Sequence, residues 1–259
     1  VNRDLRYNTP AVRQLSASTK VFLGLVLLNA VLAAATSFLP MGIADSGEPS
    51  AISPTLAAVI NASVVLFIYG GLGYAGLRLT RKLGYPDLLD AQVTTRQRFI
   101  TPTIAGLWIG LLFIVGDNIF SRFHSLEPLP HPPFPTSLLA SLSAGIGEEM
   151  VFRLFFIPLL VWLVSRLALK GRQENAVFWT ASIFSGMFFA AGHIPSVMLL
   201  LGTASLADIP TALMVEIFVL NGTLSLVAAH FLRKNGYLAA VTVHTSADIV
   251  WHVIWGLLR

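Results

Sequence analysis

Glu148, Glu149 and Arg153 stand together in "GIGEEMVFR", inside an apolar run long enough to cross a bilayer. His193 closes the stretch "FFAAGH", and His244 and Asp248 are the two ends of "HTSAD". Carboxylates and imidazoles are the side chains that take and return protons in hydrolysis. All six fall inside or at the end of apolar runs, where a charge destabilises by a few kcal/mol or more unless it meets a partner or water. Residue types this costly at such positions call for a chemical reason.

Helical geometry separates their roles. Successive residues on an α-helix lie about 100° apart, so Glu148 and Glu149 point in different directions and do not form a proton-sharing pair. Arg153 follows Glu149 by four residues, the favourable order for an ion pair, and lies about 140° around the helix from Glu148. Glu149 is therefore expected to be clamped by Arg153, and Glu148 to be free. A purely structural Glu–Arg pair would explain Glu149 and Arg153 but leave Glu148 unpaired in a dry place, which is costly. Glu148 and His193 around one water molecule make a general base. His244 and Asp248, spaced i, i+4 on one face, are placed to stabilise an oxyanion. Together these groups suffice for peptide hydrolysis without a covalent intermediate, and nothing in the set looks like an activated serine.

The elements that must position them are membrane helices. The chain is 55% hydrophobic and 12% charged, with a mean hydropathy of +0.73. A soluble domain carries roughly twice that charge fraction. Apolar runs of spanning length lie at about 21–41, 55–77, 100–119, 140–165, 176–194, 211–232 and 237–257. The segment 195–210 reads as an outer loop, a re-entrant piece or an eighth element. The expected fold is all-α, a polytopic bundle of seven to eight transmembrane helices. It forms one integral membrane domain over residues 1–259, with a motif-bearing core at about 137–259 and N-terminal spans within 21–119. Lys and Arg in successive connections number 4, 0, 5, 1, 3, 0, 2 and 1, beginning with Arg3, Arg6, Arg13 and Lys20. That alternation predicts a cytoplasmic N-terminus. Arg153 is the one base left over, inside a span.

The pI near 9.7 comes from these short loops, so the partner it implies is the lipid bilayer and not nucleic acid. The basic N-terminal stretch is too long and polar for a signal-peptide n-region, and the first run is expected to be an anchor and not a cleaved leader. There is no cysteine, hence no disulfide and no thiolate metal site. His124 and His131, in the proline-rich connection "SRFHSLEPLPHPPFP", read as solvated loop histidines. Asp117 and His230 lie near span ends, where they can reach the interface, and read as structural, as does His252 between Trp251 and Trp255, which look like an interfacial aromatic belt.

The three motifs, EExxxR, FxxxH and HxxxN/D in that order, resemble the CPBP family of intramembrane glutamic endopeptidases, also called the Abi or type II CAAX prenyl protease family. The resemblance covers residues 148–248 and does not extend to the first three spans. It implies a metal-independent protease, with no cofactor, in which Glu148 and His193 activate water. It further implies that His244 and Asp248 form the oxyanion site and that Glu149 and Arg153 support the framework. The prenyl proteases proper have Asn where this chain has Asp248, and Asp is common among prokaryotic relatives. An ionised Asp accepts but does not donate, so Asp248 is either protonated or orients His244. The implied substrate is a membrane-associated peptide or lipidated protein, with prenylated CaaX tails among the candidates, and a prokaryotic cell membrane is the expected location.

Two other readings are open. A zinc-dependent protease would use Glu148, His193, His244 and Asp248 as ligands, although there is no HExxH and no His pair at i, i+4. A non-enzymatic scaffold or transporter would draw Glu216 and Asn221 into a buried polar path; under the protease reading they pack beside the site. Counting about 1.5 Å per residue from the cytoplasmic ends puts Glu148 and His193 about 25 Å up, but His244 only about 10 Å and Asp248 about 16 Å. Either the seventh helix starts elsewhere or the chain after His193 re-enters.

Overall fold

The computed structural model describes residues 15–42, 52–124 and 129–259. Arg3, Arg6 and Arg13, on which part of the charge alternation rests, lie outside them. Every regular element among the described residues is helical. We label the helices α1 (Ala17–Thr36), α2 (Pro54–Leu83), α3 (Arg96–Phe123), α4 (Thr136–Ala168), α5 (Glu174–Leu201) and α6 (Thr211–Asn235). The last, α7, runs over Tyr237–Asp248 and continues in π-helical form through Ile249–Trp255.

The first six are long and apolar enough to cross a membrane, and the chain is a multi-pass integral membrane protein. The expected count of seven to eight is not reached by that measure. The seventh apolar run does form a helix, but His244, Thr245, Ser246, Asp248 and His252 dilute it. It has no need of a lipid-facing surface, because α7 packs between α3, α4 and α6. Its residues Ala239, Ala240, Val243 and Ala247 are fully buried. The segment after His193 begins as helix and not as loop. It is the short helix Ile194–Leu201, which continues α5 beyond a break at Gly192–His193 and is followed by a 3-10 turn at Leu206–Asp208.

Sidedness follows from composition. On α3, Leu107, Trp108, Leu111, Leu112 and Val115 are 41–69% exposed, a face suited to lipid. The opposite face presents Gly106, Ile109, Gly110 and Phe113. Gly106 and Gly110 make a GxxxG seam, the small-residue pattern that lets membrane helices approach closely. A Cβ on Gly110 would lie 2.5 Å from Val250 Cβ and 2.8 Å from the Ala247 carbonyl oxygen. The bare backbone of α3 therefore fixes the position of α7.

The depth mismatch has a structural cause. The connection after α2 folds inward instead of lying flat. Leu88 is 1% exposed and packs with Leu232, Tyr237 and Ala240. Gly236, at φ +85°, turns α6 into α7, and a Cβ there would lie 2.9 Å from the Pro86 carbonyl oxygen. The turn thus rests on the inserted loop, and α7 begins deep in the bundle. Its first residue, Tyr237, donates from its hydroxyl to the Ile146 carbonyl at 2.7 Å, two residues before Glu148.

Candidate active site

The EExxxR segment departs from the straight α-helix of the sequence reading. From Glu149 to Phe156 the backbone of α4 is π-helical, a form whose short occurrences are frequent at functional sites. The widened turn keeps Glu149 and Arg153 together: Glu149 Oε1 lies 3.3 Å from Arg153 Nε, and both side chains are fully buried. None of the three Arg153 guanidinium nitrogens has a hydrogen-bond partner. Its charge is met instead by the carboxylate and by the ring of Phe189, 4.2 Å from the guanidinium carbon, a cation–π contact. Glu148, one residue earlier, keeps 31% of its side chain exposed.

That exposed face opens into a cavity of about 270 Å³ whose wall includes Glu148, His193, His244 and Asp248. These four side chains come from three helices: α4, the kink in α5, and α7. Glu149 and Arg153 stand behind the wall and do not line it.

His193 sits at the break in α5. Its Nδ1 lies 2.9 Å from the Phe189 carbonyl oxygen, which only accepts, so Nδ1 carries the proton and donates it. In the neutral ring this leaves Nε2 with its lone pair. His244 is held from several sides. Its Nδ1 is 2.9 Å from Glu149 Oε1. Its Nε2 is 3.4 Å from Asp248 Oδ2 and 3.7 Å from Glu148 Oε2. Phe189, the first residue of FxxxH, places its ring edge-to-face against Phe152, His193 and His244, with centroids 5.5, 5.0 and 5.6 Å away. Phe189 is thus the apolar hub that spaces the polar groups, and it is 1% exposed.

Four readings of the sequence are corrected here. His124 is not a solvated loop residue; its side chain is fully buried, with Nε2 3.3 Å from Glu216 Oε2. His131 is not solvated either. Its ring meets Trp251 edge-on at 4.6 Å, and its Nδ1 lies 3.4 Å from His252 Nδ1. Burial, with His252 and Arg259 nearby, holds the His131 imidazole down at about 4, from an ordinary 6.5. Asp117 does not reach an interface: it is fully buried and accepts from the Leu129 backbone N–H at 2.9 Å. His252 is more than a belt residue, since it lines the cavity beside Leu129, Pro130 and Pro132. Its spacing, four residues after Asp248, was the available signal. Nothing local in the proline-rich connection marks it as a cavity wall. His230, by contrast, stacks on Trp179 with rings 21° apart, away from the cavity.

Among the described residues, no three of the His, Asp and Glu side chains are grouped so as to hold a metal ion. Neither a curated protein nor a solved structure matches the chain. A family model does: residues 130–250, which contain all three motifs and most of the cavity wall, match the type II CAAX prenyl endopeptidase Rce1-like family. This segment, a little under half of the chain, is similar to that family, and the match supports a membrane endopeptidase of the CAAX protease type.

Proposed function

We propose that the protein is a glutamic intramembrane endopeptidase that uses no metal and cleaves a peptide bond in a membrane-associated substrate. The observation that carries this reading is the unequal treatment of two adjacent carboxylates. Glu149 is sealed behind the wall by Arg153 and His244, whereas Glu148 faces the cavity that His193 also lines.

In this mechanism Glu148 and the free Nε2 of His193 hold one water molecule. As its oxygen attacks the carbonyl carbon, one water proton passes to this pair. The tetrahedral oxyanion accepts from His244 Nε2–H, and the C–N bond breaks as the proton returns to the leaving nitrogen. Both ring nitrogens of His244 face carboxylates, Glu149 on one side and Asp248 on the other. An ionised Asp248 accordingly has an orienting role and need not donate. Arg153 and Glu149 are positioning residues.

The test is cleavage of a peptide library by protein purified in detergent. Glu148→Ala and His193→Ala are expected to lose turnover while keeping the wild-type melting temperature. Wild-type cleavage by both variants would refute the assignment. A chelator such as 1,10-phenanthroline is expected to leave turnover unchanged; loss of activity restored by zinc would establish a metalloprotease instead.

A further inference from the structure

The cavity reaches past the motif residues to a wall of α6, where Glu216, Ile217, Leu220 and Asn221 line it. Glu216 is the unusual member. Its side chain is 1% exposed; Oε2 faces His124, and Oε1 has no hydrogen-bond partner. Asp117 of α3 brings a second carboxyl group within hydrogen-bonding reach of it. Asp117 is itself engaged elsewhere, through Oδ1 by Leu129 N–H and through Oδ2 by Arg259 Nη1 at 3.8 Å. Two carboxyl groups this close, away from water, repel unless a proton or a cation stands between them. Asn221 adds an acceptor: its amide N–H is used on the Ile217 carbonyl at 2.9 Å, which leaves its own carbonyl oxygen free.

Among the described residues no Lys or Arg lines the cavity, and Phe113, Val197 and Leu220 supply an apolar path to Glu216. A peptide's C-terminal carboxylate would meet the Glu216 carboxyl group on this wall and no Lys or Arg. A flexible apolar stem ending in a positive charge has the complementary shape and charge, since Lys and Arg lay their methylenes along apolar surface and hold the head at a polar group. Resting on the endopeptidase reading, we propose that the α6 wall is a side-chain subsite that selects a lysine or arginine in the substrate, with Glu216 as its specificity-determining residue.

Binding can be read apart from cleavage. A fluorescein-labelled peptide of alanine, leucine and serine with one central lysine is titrated into Glu148→Gln protein in detergent. It is compared with the same peptide carrying norleucine or glutamate in place of the lysine. The lysine peptide is expected to bind at least about tenfold tighter than the norleucine peptide, the scale of one hydrogen bond to a charged group. Glu216→Gln in the same background should erase that preference. Equal binding of lysine and norleucine peptides, or tighter binding of the glutamate peptide, overturns the subsite. If Glu216→Gln does not fold, the peptide comparison decides alone. Lysine preference in a protein that cleaves nothing would sink the protease reading and leave the subsite standing. Glu148-dependent cleavage indifferent to lysine would do the reverse.

Discussion

Gly110→Ala adds one methyl group to the seam between α3 and α7. The new Cβ would lie 2.5 Å from Val250 Cβ and 2.8 Å from the Ala247 carbonyl oxygen. Ordinary carbon–carbon contacts begin at about 3.5 Å and carbon–oxygen contacts at about 3.3 Å. The helices must therefore part by about 0.5–1 Å. Neither contacting atom is the end of a flexible side chain, so rotamer changes give no relief. Ala247 and Val250 flank Asp248, and three residues before Ala247 stands His244, whose Nδ1 is held 2.9 Å from Glu149. A displacement of this size breaks that hydrogen bond or lengthens the 3.4 Å approach of Asp248 to His244. Overpacking of this kind costs about 1–3 kcal/mol, and misplacing catalytic groups by about 1 Å costs on the order of 100-fold in rate. The expected outcome is a folded protein with a lower melting temperature in detergent and turnover reduced by about two orders of magnitude. Gly71→Ala is the control. A Cβ there meets nothing within 4 Å, so it is expected to be neutral or stabilising by about 0.5–1 kcal/mol. Wild-type turnover and stability in Gly110→Ala would show that the seam does not position α7.

Removing one partner of a buried ion pair typically costs about 3–5 kcal/mol. Because Glu149 keeps His244, Arg153→Met is expected near the lower end, about 3 kcal/mol, by equilibrium unfolding in mixed micelles. Glu149→Gln combined with Arg153→Met should recover about 2 kcal/mol of that loss, since no charge is then left unpaired; a cost below about 1 kcal/mol for Arg153→Met alone would refute the pairing. His131 gives a pH dependence whose sign is fixed. Its folded-state value, about 4, lies below the ordinary 6.5, so protons bind the unfolded chain more readily. Its contribution is complete above pH 6.5 and lost as pH falls from 6.5 towards 4. The melting temperature should drop across that window, and less so in His131→Phe; identical pH profiles for the two proteins would exclude the histidine as the cause.

Span positions were legible because hydrocarbon imposes a length and an apolar composition that few other environments demand. The six apolar runs up to residue 232 correspond to α1–α6, with limits that differ by several residues. What sequence length cannot convey is the enclosure of α7. A helix sheathed by three others is released from the apolar requirement, and the same enclosure lets it carry His244, Asp248 and His252. The depth count failed for a related reason. It assumed that each connection lies at the membrane surface, whereas Leu88 is buried with Leu232 and Tyr237 and the turn at Gly236 that starts α7 rests on Pro86. The helical-wheel argument had better fortune. It separated Glu148 from Glu149 using α geometry, and the π-helical turn, though wider, keeps Glu149 within reach of Arg153.

The loop histidines mark the limit of local reading. Composition near His124 and His131 is that of an exposed connection, and only tertiary contacts, Glu216 for one and Trp251 with His252 for the other, bury them. Both contacts tie the beginning or the end of the proline-rich connection to a cavity-lining helix, α6 or α7. The family match begins at Pro130, yet Asp117, His124 and the Gly106–Gly110 seam precede it. Residues 130–250 thus carry the motif chemistry, while α3 supplies the rigid backing that spaces it and one of the two carboxyl groups at the α6 wall. A chimera that keeps 130–250 and exchanges α3 for an unrelated span should therefore retain Glu148 and His193 but lose the register of His244 and Asp248, with turnover falling as steeply as in Gly110→Ala. If such a chimera cleaved at the native rate, α7 would have to be positioned by α4 and α6 alone, and the close glycine contact would be incidental to catalysis.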